Sequence, residues 1–368
     1  MDLTFTDEQR LLADSTSRFL EQERDFHARR AQLAEGVTLS PAVWSHFAEQ
    51  GLLALPRAES AGGLGGSIVD VVAVAMRFGA SMLTEPYLAT VVLAGAALEA
   101  AGSDEADAVL ARIAAGEAVV SFAHDEAVSG TPASQIETTA TAGDGGFTLT
   151  GLKPFVLAGG DAEQLVVTAR LDNRSALFLV DAGAPGVTIE KFVTIDGRGA
   201  GRVHLDSVPV PREALLVGDA SSLIDEIVTD AVIYLAAESV GAMDALFRMT
   251  ASYAATRQQF GVPIGSFQTI AHRLADMKIA LTKANASLIY VTALRETGQA
   301  RPADVSVLKA QTGRLGRALA EAAVQTHGGV GMTDELAVGH LLKRLLANDA
   351  LFGDAELHLR LLGGSSAC

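Results

Sequence analysis

The chain has 368 residues, a formal net charge of −16 and 49% hydrophobic residues, which is enough for two or three packed units that bury their cores without disulfides or metals. Its single cysteine, Cys368, stands at the last position, which excludes an intrachain disulfide framework and a cysteine-based zinc site and points to a reducing, cytoplasmic setting. The acidic balance repels phosphate backbones and no basic stripe offsets it, so nucleic acid is not an expected partner; an anionic ligand such as coenzyme A remains open wherever a few Arg and Lys residues gather.

The segment Met1 to Arg10 carries acidic residues and no apolar run after a basic start, so no secretory signal is expected. Thr6-Asp-Glu-Gln has the spacing of a capping box, in which Thr6 caps the helix and Gln9 reaches back. Leu11, Leu12, Ser15, Phe19 and Leu20 then recur at helical spacing, and 41–53, 68–78, 87–101 and 104–114 look similar. The apolar runs Val71 to Met76 and Leu88 to Ala101 are Ala-rich and fall short of the ~20 residues of a bilayer span, so they read as buried helices and no membrane association is expected. Between them, Gly62-Gly-Leu-Gly-Gly-Ser lacks the Lys and the spacing of a phosphate loop and reads as a turn.

After Gly116 the pattern changes to short β-rich runs separated by Gly, Asp and Asn: Val119-Val-Ser-Phe-Ala, Gly146-Phe-Thr-Leu-Thr-Gly, Gln164-Leu-Val-Val-Thr-Ala-Arg, Ala176-Leu-Phe-Leu-Val and Val203-His-Leu-Asp-Ser-Val-Pro-Val. From Ser221 long amphipathic helices return, to Arg257 and then over 267–296, 303–327 and 337–351, lengths that suit a four-helix bundle. The expected fold is α+β: an N-terminal helical domain over 1–115, a middle β-barrel-like domain over 116–215 and a C-terminal helical bundle over 216–368. No strand leads into a Gly-rich dinucleotide fingerprint, which excludes a doubly wound sheet.

This order, over essentially the whole chain, resembles the acyl-CoA dehydrogenase family. The motifs that carry the resemblance are Gly151-Leu-Lys-Pro-Phe-Val-Leu-Ala-Gly-Gly, Val203-His-Leu-Asp-Ser-Val-Pro-Val-Pro, Arg257-Gln-Gln-Phe-Gly-Val-Pro-Ile-Gly-Ser-Phe-Gln with Leu274-Ala-Asp-Met, and Ala323-Val-Gln-Thr-His-Gly-Gly-Val-Gly-Met. Two of these have a physical sense of their own: Arg257 can pair bidentately with a pyrophosphate, and Gly328 and Gly329 let a ligand approach the backbone. The plainer reading makes Arg257 a surface cation at a helix end and the Gly pair a helix stop. The resemblance implies that Arg257, Phe260, Gln268, Gln325, Gly328 and Gly329 are what one subunit lends to FAD held mainly by its neighbour. It implies as well an acyl-CoA substrate, an electron-transfer acceptor and no metal.

The family reaction removes the α-proton of an acyl thioester with a carboxylate while the β-hydride goes to the flavin. Against the family's Tyr-Glu-Gly-Thr-like loop this chain reads Leu351-Phe-Gly-Asp-Ala-Glu-Leu-His, with Gly353 where the glutamate belongs. Asp354 is the nearest carboxylate but suits a helix N-cap. On the first helix of the bundle, where other members carry the base, Ala231 takes that place, leaving Asp230 and Glu238 as alternatives or as partners of basic side chains. In the middle domain, the runs that supply hydroxyls and a tryptophan to the flavin read Phe122-Ala-His-Asp-Glu and Phe155-Val-Leu-Ala, so that Phe155 can stack, Leu157 offers no hydroxyl and His124 stands in an altered place. The resemblance therefore narrows to the base-lacking subunit of α2β2 acyl-CoA dehydrogenases of the actinobacterial steroid-degrading type. Two alternatives stand beside it: a self-sufficient homo-oligomer using Asp354 or another carboxylate, and a non-catalytic acyl-CoA-binding or scaffold protein.

Overall fold

Thr6 opens the first helix as its spacing predicts, with its hydroxyl accepting from the Gln9 amide at 3.2 Å and the Gln9 side chain accepting from the Thr6 amide at 3.0 Å. The computed structural model describes residues 5–23, 25–126, 130, 132 and 135–365; Cys368, on which the expectation of a reducing setting rests, lies outside them. The helices are α1 (Asp7–Glu23), α2 (Phe26–Ala34), α3 (Pro41–Glu49), α4 (Ile68–Ser81), α5 (Gly95–Ala101), α6 (Asp104–Ala114), α7 (Ser221–Thr256), α8 (Gln268–Glu296), α9 (Pro302–His327), α10 (Ala337–Ala350) and α11 (Ala355–Ser365). The strands are β1 (Val120–Ala123), β2 (Thr139–Gly143), β3 (Gly146–Leu157), β4 (Gln164–Leu171), β5 (Arg174–Asp181), β6 (Val187–Val193), β7 (Gly199–Pro211), β8 (Leu215–Val217), β9 (Gln258–Gln259) and β10 (Val262–Pro263).

The chain divides into two compact units: Met1–Ala31, Ile68–Leu83 and Val232–Cys368 form one, Gln32–Ser67 and Thr84–Ala231 the other. The residues of the N-terminal helical segment are thus shared between both.

In the first unit, α9 is the central helix, with α8, α10 and α11 packed on it, while α1 lies on α4. The bundle closes where α4 meets α7. A Cβ on Gly79 would lie 1.8 Å from the Glu238 carbonyl oxygen, and one on Gly241 would lie 1.8 Å from that of Met76, so the two main chains touch where no side chain fits. Next to this crossing, the buried Arg344 guanidinium donates to the Leu83 carbonyl at 2.6 Å and reaches the Glu238 carboxylate at 3.4 Å.

The second unit is built on one eight-stranded sheet in the order β6-β7-β3-β2-β4-β5-β8, with β1 added parallel to β4. Alternating residues send Leu149, Leu165, Val167, Phe178, Val203 and Leu205 into its core, each contributing roughly 1.5–3 kcal/mol by burial. Over 87–101 the expected single helix is instead a π-helix, Tyr87–Ala94, continued by α5. It is held from the side: the Arg57 guanidinium donates to the Val91 carbonyl at 2.8 Å and pairs with Glu99 at 2.9 Å, and the Tyr87 hydroxyl donates to the Leu52 carbonyl at 3.0 Å. The Gly-rich run is a turn folded on its own chain, since a Cβ on Gly63 would lie 2.1 Å from the Arg57 carbonyl oxygen.

Candidate cofactor and catalytic sites

Three chain segments of the first unit converge at one end of its bundle. After α7, β9 and β10 form a hairpin closed by the Ile264 amide on the Arg257 carbonyl at 2.8 Å. One turn before Arg257, the Tyr253 ring stacks on His327 with centroids 4.4 Å apart, joining the end of α7 to the end of α9. The His327 ring is buried, with Nδ1 2.9 Å from the Ala323 carbonyl, and Arg273 of α8 reaches the Thr326 hydroxyl of α9 at 3.5 Å. Arg257, Gln325, Gly328 and Gly329 are thereby held on segments tied to one another, with Gln268 at the start of α8.

These residues all face outward. Arg257, Gln268, Gln325, Gly328 and Gly329 are exposed, and Phe260, at the hairpin tip with φ 52°, is 92% exposed. Gly328, at φ 68°, stops α9 as the helix-stop reading expects. Gly329 is different: a Cβ there would meet nothing within 4 Å, so the chain's own packing does not require glycine. An exposed guanidinium, two exposed amides and an open glycine edge form a donor set that fits the pyrophosphate and polar groups of a dinucleotide. Sequence reading missed Tyr253 and His327, whose only signal was one aromatic residue near the end of each helix.

In the second unit, the strand region expected to serve a flavin is turned inward. Lys153, fully buried, donates to the Glu126 carboxylate at 2.7 Å, the Thr168 hydroxyl at 2.8 Å and the His124 carbonyl at 3.2 Å. Burial pulls the Lys153 ammonium down to about 8, against the pull of Glu126. Burial alone would raise the Glu126 carboxyl, but the Lys153 charge and the hydrogen bonds it receives hold it below the usual range. His124 is buried in the same cluster, with Nδ1 3.3 Å from the Thr168 hydroxyl. Leu157 is 9% exposed and apolar, while Phe155 is half-buried with its ring 6.0 Å from that of Phe192. The buried Lys153–Glu126 pair was not foreseen, because sequence spacing gives no sign that residues 27 apart meet.

The loop between α10 and α11 is shaped for glycine. Phe352 and Gly353 have φ of 54° and 91°, and a Cβ on Gly353 would lie 2.7 Å from Leu357 Cδ2 and 3.2 Å from His358 Nε2. Asp354 caps α11, its carboxylate accepting from the Leu357 amide at 2.7 Å, as the cap reading expects. Lys309 fastens the other side by donating to the Asn348 and Asp349 carbonyls at 2.6 and 2.7 Å, and burial brings its ammonium down to about 8. Glu238 is 2% exposed and is shared by Arg344, by Asn348 at 3.2 Å and by the Tyr234 hydroxyl at 3.1 Å, so it is the partner of a basic side chain. Asp230 is half-buried and lies within the electrostatic reach of Arg57, and Ala231 is fully buried. Among the described residues no cluster of His, Cys, Asp and Glu has the makings of a metal site, and no helix is long and apolar enough to cross a membrane.

Comparison with known proteins matches residues 6–117, 121–208 and 227–366 to the N-terminal, middle and C-terminal domain models of acyl-CoA dehydrogenases. The acyl-CoA dehydrogenase FadE27 of Mycobacterium tuberculosis is 31% identical over 340 residues, covering 87% of each chain. Among solved structures, the ChsE4-ChsE5 complex from Mycobacterium tuberculosis is similar at a TM-score of 0.92 and 27% identity, covering 100% of this chain and 99% of that one. The Tcur3481-Tcur3483 steroid ACAD is similar at 0.86 and 26%, covering 98% of both.

Proposed function

Because the chain belongs to the acyl-CoA dehydrogenase family, we propose that it is one subunit of a heteromeric FAD-dependent acyl-CoA dehydrogenase, lending FAD contacts to a partner subunit that supplies the catalytic base. FAD, when bound, accepts the β-hydride of the thioester while a carboxylate takes the α-proton. Arg257, Gln268, Gln325 and the Gly328–Gly329 edge would hold the pyrophosphate and polar groups of that cofactor, with Phe260 against an apolar part. Similarity to the ChsE4-ChsE5 complex and to a steroid ACAD supports both the pairing and a bulky acyl group such as a steroid side chain.

The observation that carries this reading is Gly353. At the position of the family base the backbone is left-handed and Leu357 fills the space a side chain would need, so the loop is built around the absence of a carboxylate. Asp354 is engaged as a cap and Glu238 as an ion-pair partner. The inward-turned Lys153–Glu126–His124 cluster supports the same division of labour, since this chain's own middle strands offer the flavin little beyond Phe155.

The test is the visible spectrum of the pure chain, alone and co-expressed with an acyl-CoA dehydrogenase-like chain encoded beside it, together with dye-linked oxidation of acyl-CoA. Flavin absorbance and turnover that appear only with the partner are the expected result. A yellow, active protein from the chain alone would overturn it and return attention to Asp354.

A further inference from the structure

We propose that the cleft between α1, α4 and α8 is a second small-molecule site, for an apolar carboxylic acid that carries another oxygen away from its carboxylate. The cleft holds about 410 Å³, within the range of small-molecule sites. Val72 and Met76 of α4 wall one side, and Asn285, Leu288, Ile289 and Thr292 of α8 wall the other at the spacing of a single helix face. Asn285 lies about 25 Å along α8 from Gln268 at 1.5 Å per residue, so this place is separate from the proposed FAD contacts.

Thr292 on that apolar wall is unexplained by packing. It is 4% exposed and its hydroxyl has no hydrogen-bond partner among the described residues, whereas Thr16, Thr250, Thr282, Thr312 and Thr326 each donate to the carbonyl four residues back in their helices. Thr292 lines the cleft, within reach of a ligand held there. Asn285, half-buried and lining the cleft, makes no side-chain hydrogen bond among the described residues. Valine at position 292 would avoid leaving a buried hydroxyl unmatched, so the presence of that hydroxyl implies a ligand that matches it.

Arg10 lines the same cleft, and its ion pair with Asp7 at 2.9 Å, the one it makes among the described residues, is exposed and easily given up. It supplies the cation that a carboxylate needs in an otherwise strongly acidic chain. Asn285 and Thr292 lie two turns apart, about 10 Å along the axis, so one head group reaches only one of them. An apolar body with a carboxylate for Arg10 and a second oxygen for Thr292 lays its middle along Val72, Met76, Leu288 and Ile289.

The experiment uses the flavin-loaded protein, with its partner subunit present, and 10-hydroxydecanoic acid, decanoic acid and 1-decanol as probes in calorimetric titrations. Saturable binding is expected in the order hydroxy acid, acid, alcohol, about tenfold weaker in Ala293→Phe, which fills the cleft, and several-fold weaker in Arg10→Gln and Thr292→Val. In protein labelled with ¹³C at methionine methyls, the Met76 resonance, assigned with Met76→Leu, shifts on titration. Absence of saturable binding overturns the proposal. Binding that survives Ala293→Phe while the Met76 resonance stays still does so too, because the acid then sits elsewhere. Unchanged affinity in Thr292→Val removes the second oxygen from the proposed ligand class and overturns that part.

Discussion

Gly353→Ala is a sharp test of how the loop between α10 and α11 is built. A Cβ in the left-handed region costs about 1–2 kcal/mol, and forcing a methyl against Leu357 Cδ2 at 2.7 Å adds roughly 1–3 kcal/mol unless the leucine swings away. The sum, about 2–5 kcal/mol, is a large part of the ~5–15 kcal/mol that holds a domain folded. Urea unfolding of the wild type, Gly353→Ala, Leu357→Ala and the double variant measures it, with the transition midpoint read by far-UV circular dichroism. The double variant should recover about 1–3 kcal/mol relative to the sum of the single changes, since removing Leu357 relieves the clash and leaves the backbone cost in place. A Gly353→Ala variant as stable as the wild type, within about 0.5 kcal/mol, would refute the reasoning. The loop would then have another conformation in solution, and Gly353→Glu would become a practical way to install a base. On the present geometry Gly353→Glu destabilises the chain and yields no turnover.

Asp354→Ala should cost about 0.5–2 kcal/mol through loss of the α11 cap and leave turnover of the assembled enzyme unchanged; a turnover falling by orders of magnitude with FAD retained would make Asp354 the base. Gly329→Ala should leave the melting temperature of the flavin-free chain unchanged but speed FAD release from the assembled protein, as followed by flavin fluorescence. Arg257→Lys should weaken FAD retention by about 1–2 kcal/mol, because an ammonium cannot form the paired contacts of a guanidinium. Burial holds Lys153 and Lys309 at about 8 against 10.5 for the free side chain, so the folded chain releases protons that the unfolded chain keeps. Stability should therefore rise from pH about 8 to about 10, where buried Tyr87, reluctant to ionise, begins to oppose it. Lys153→Met should flatten that rise in a series of urea titrations.

Local signals carried the helices well. The Thr6 capping box, the Asp354 cap and the periodic runs of the bundle depend on residues a few positions apart, and the structure bears them out. The π-helix at Tyr87–Ala94 escaped because its eight residues, all buried and all but Thr90 hydrophobic, show no period, and the bonds that hold it come from Arg57 and Leu52, which are distant in sequence. For the cofactor site, Arg257 and the Gly328–Gly329 pair were legible as motifs. The Tyr253–His327 stack that joins their segments was not, because it depends on where two long helices end in space. In the middle strands, the substitution at Leu157 was readable, but the burial of His124 with Lys153 and Glu126 came only from the sheet's pairing of β1 with β4.

The contact of α4 and α7 through Gly79 and Gly241 also constrains how the first unit can move. Sliding either helix by a turn would put a same-face neighbour such as Ala75 in the place of Gly79, or Ala237 or Ala245 in the place of Gly241, where even a methyl group has no room. The crossing therefore acts as a stop: with Arg344 bonded to Leu83 and Glu238 beside it, the register of the two helices along one another stays locked.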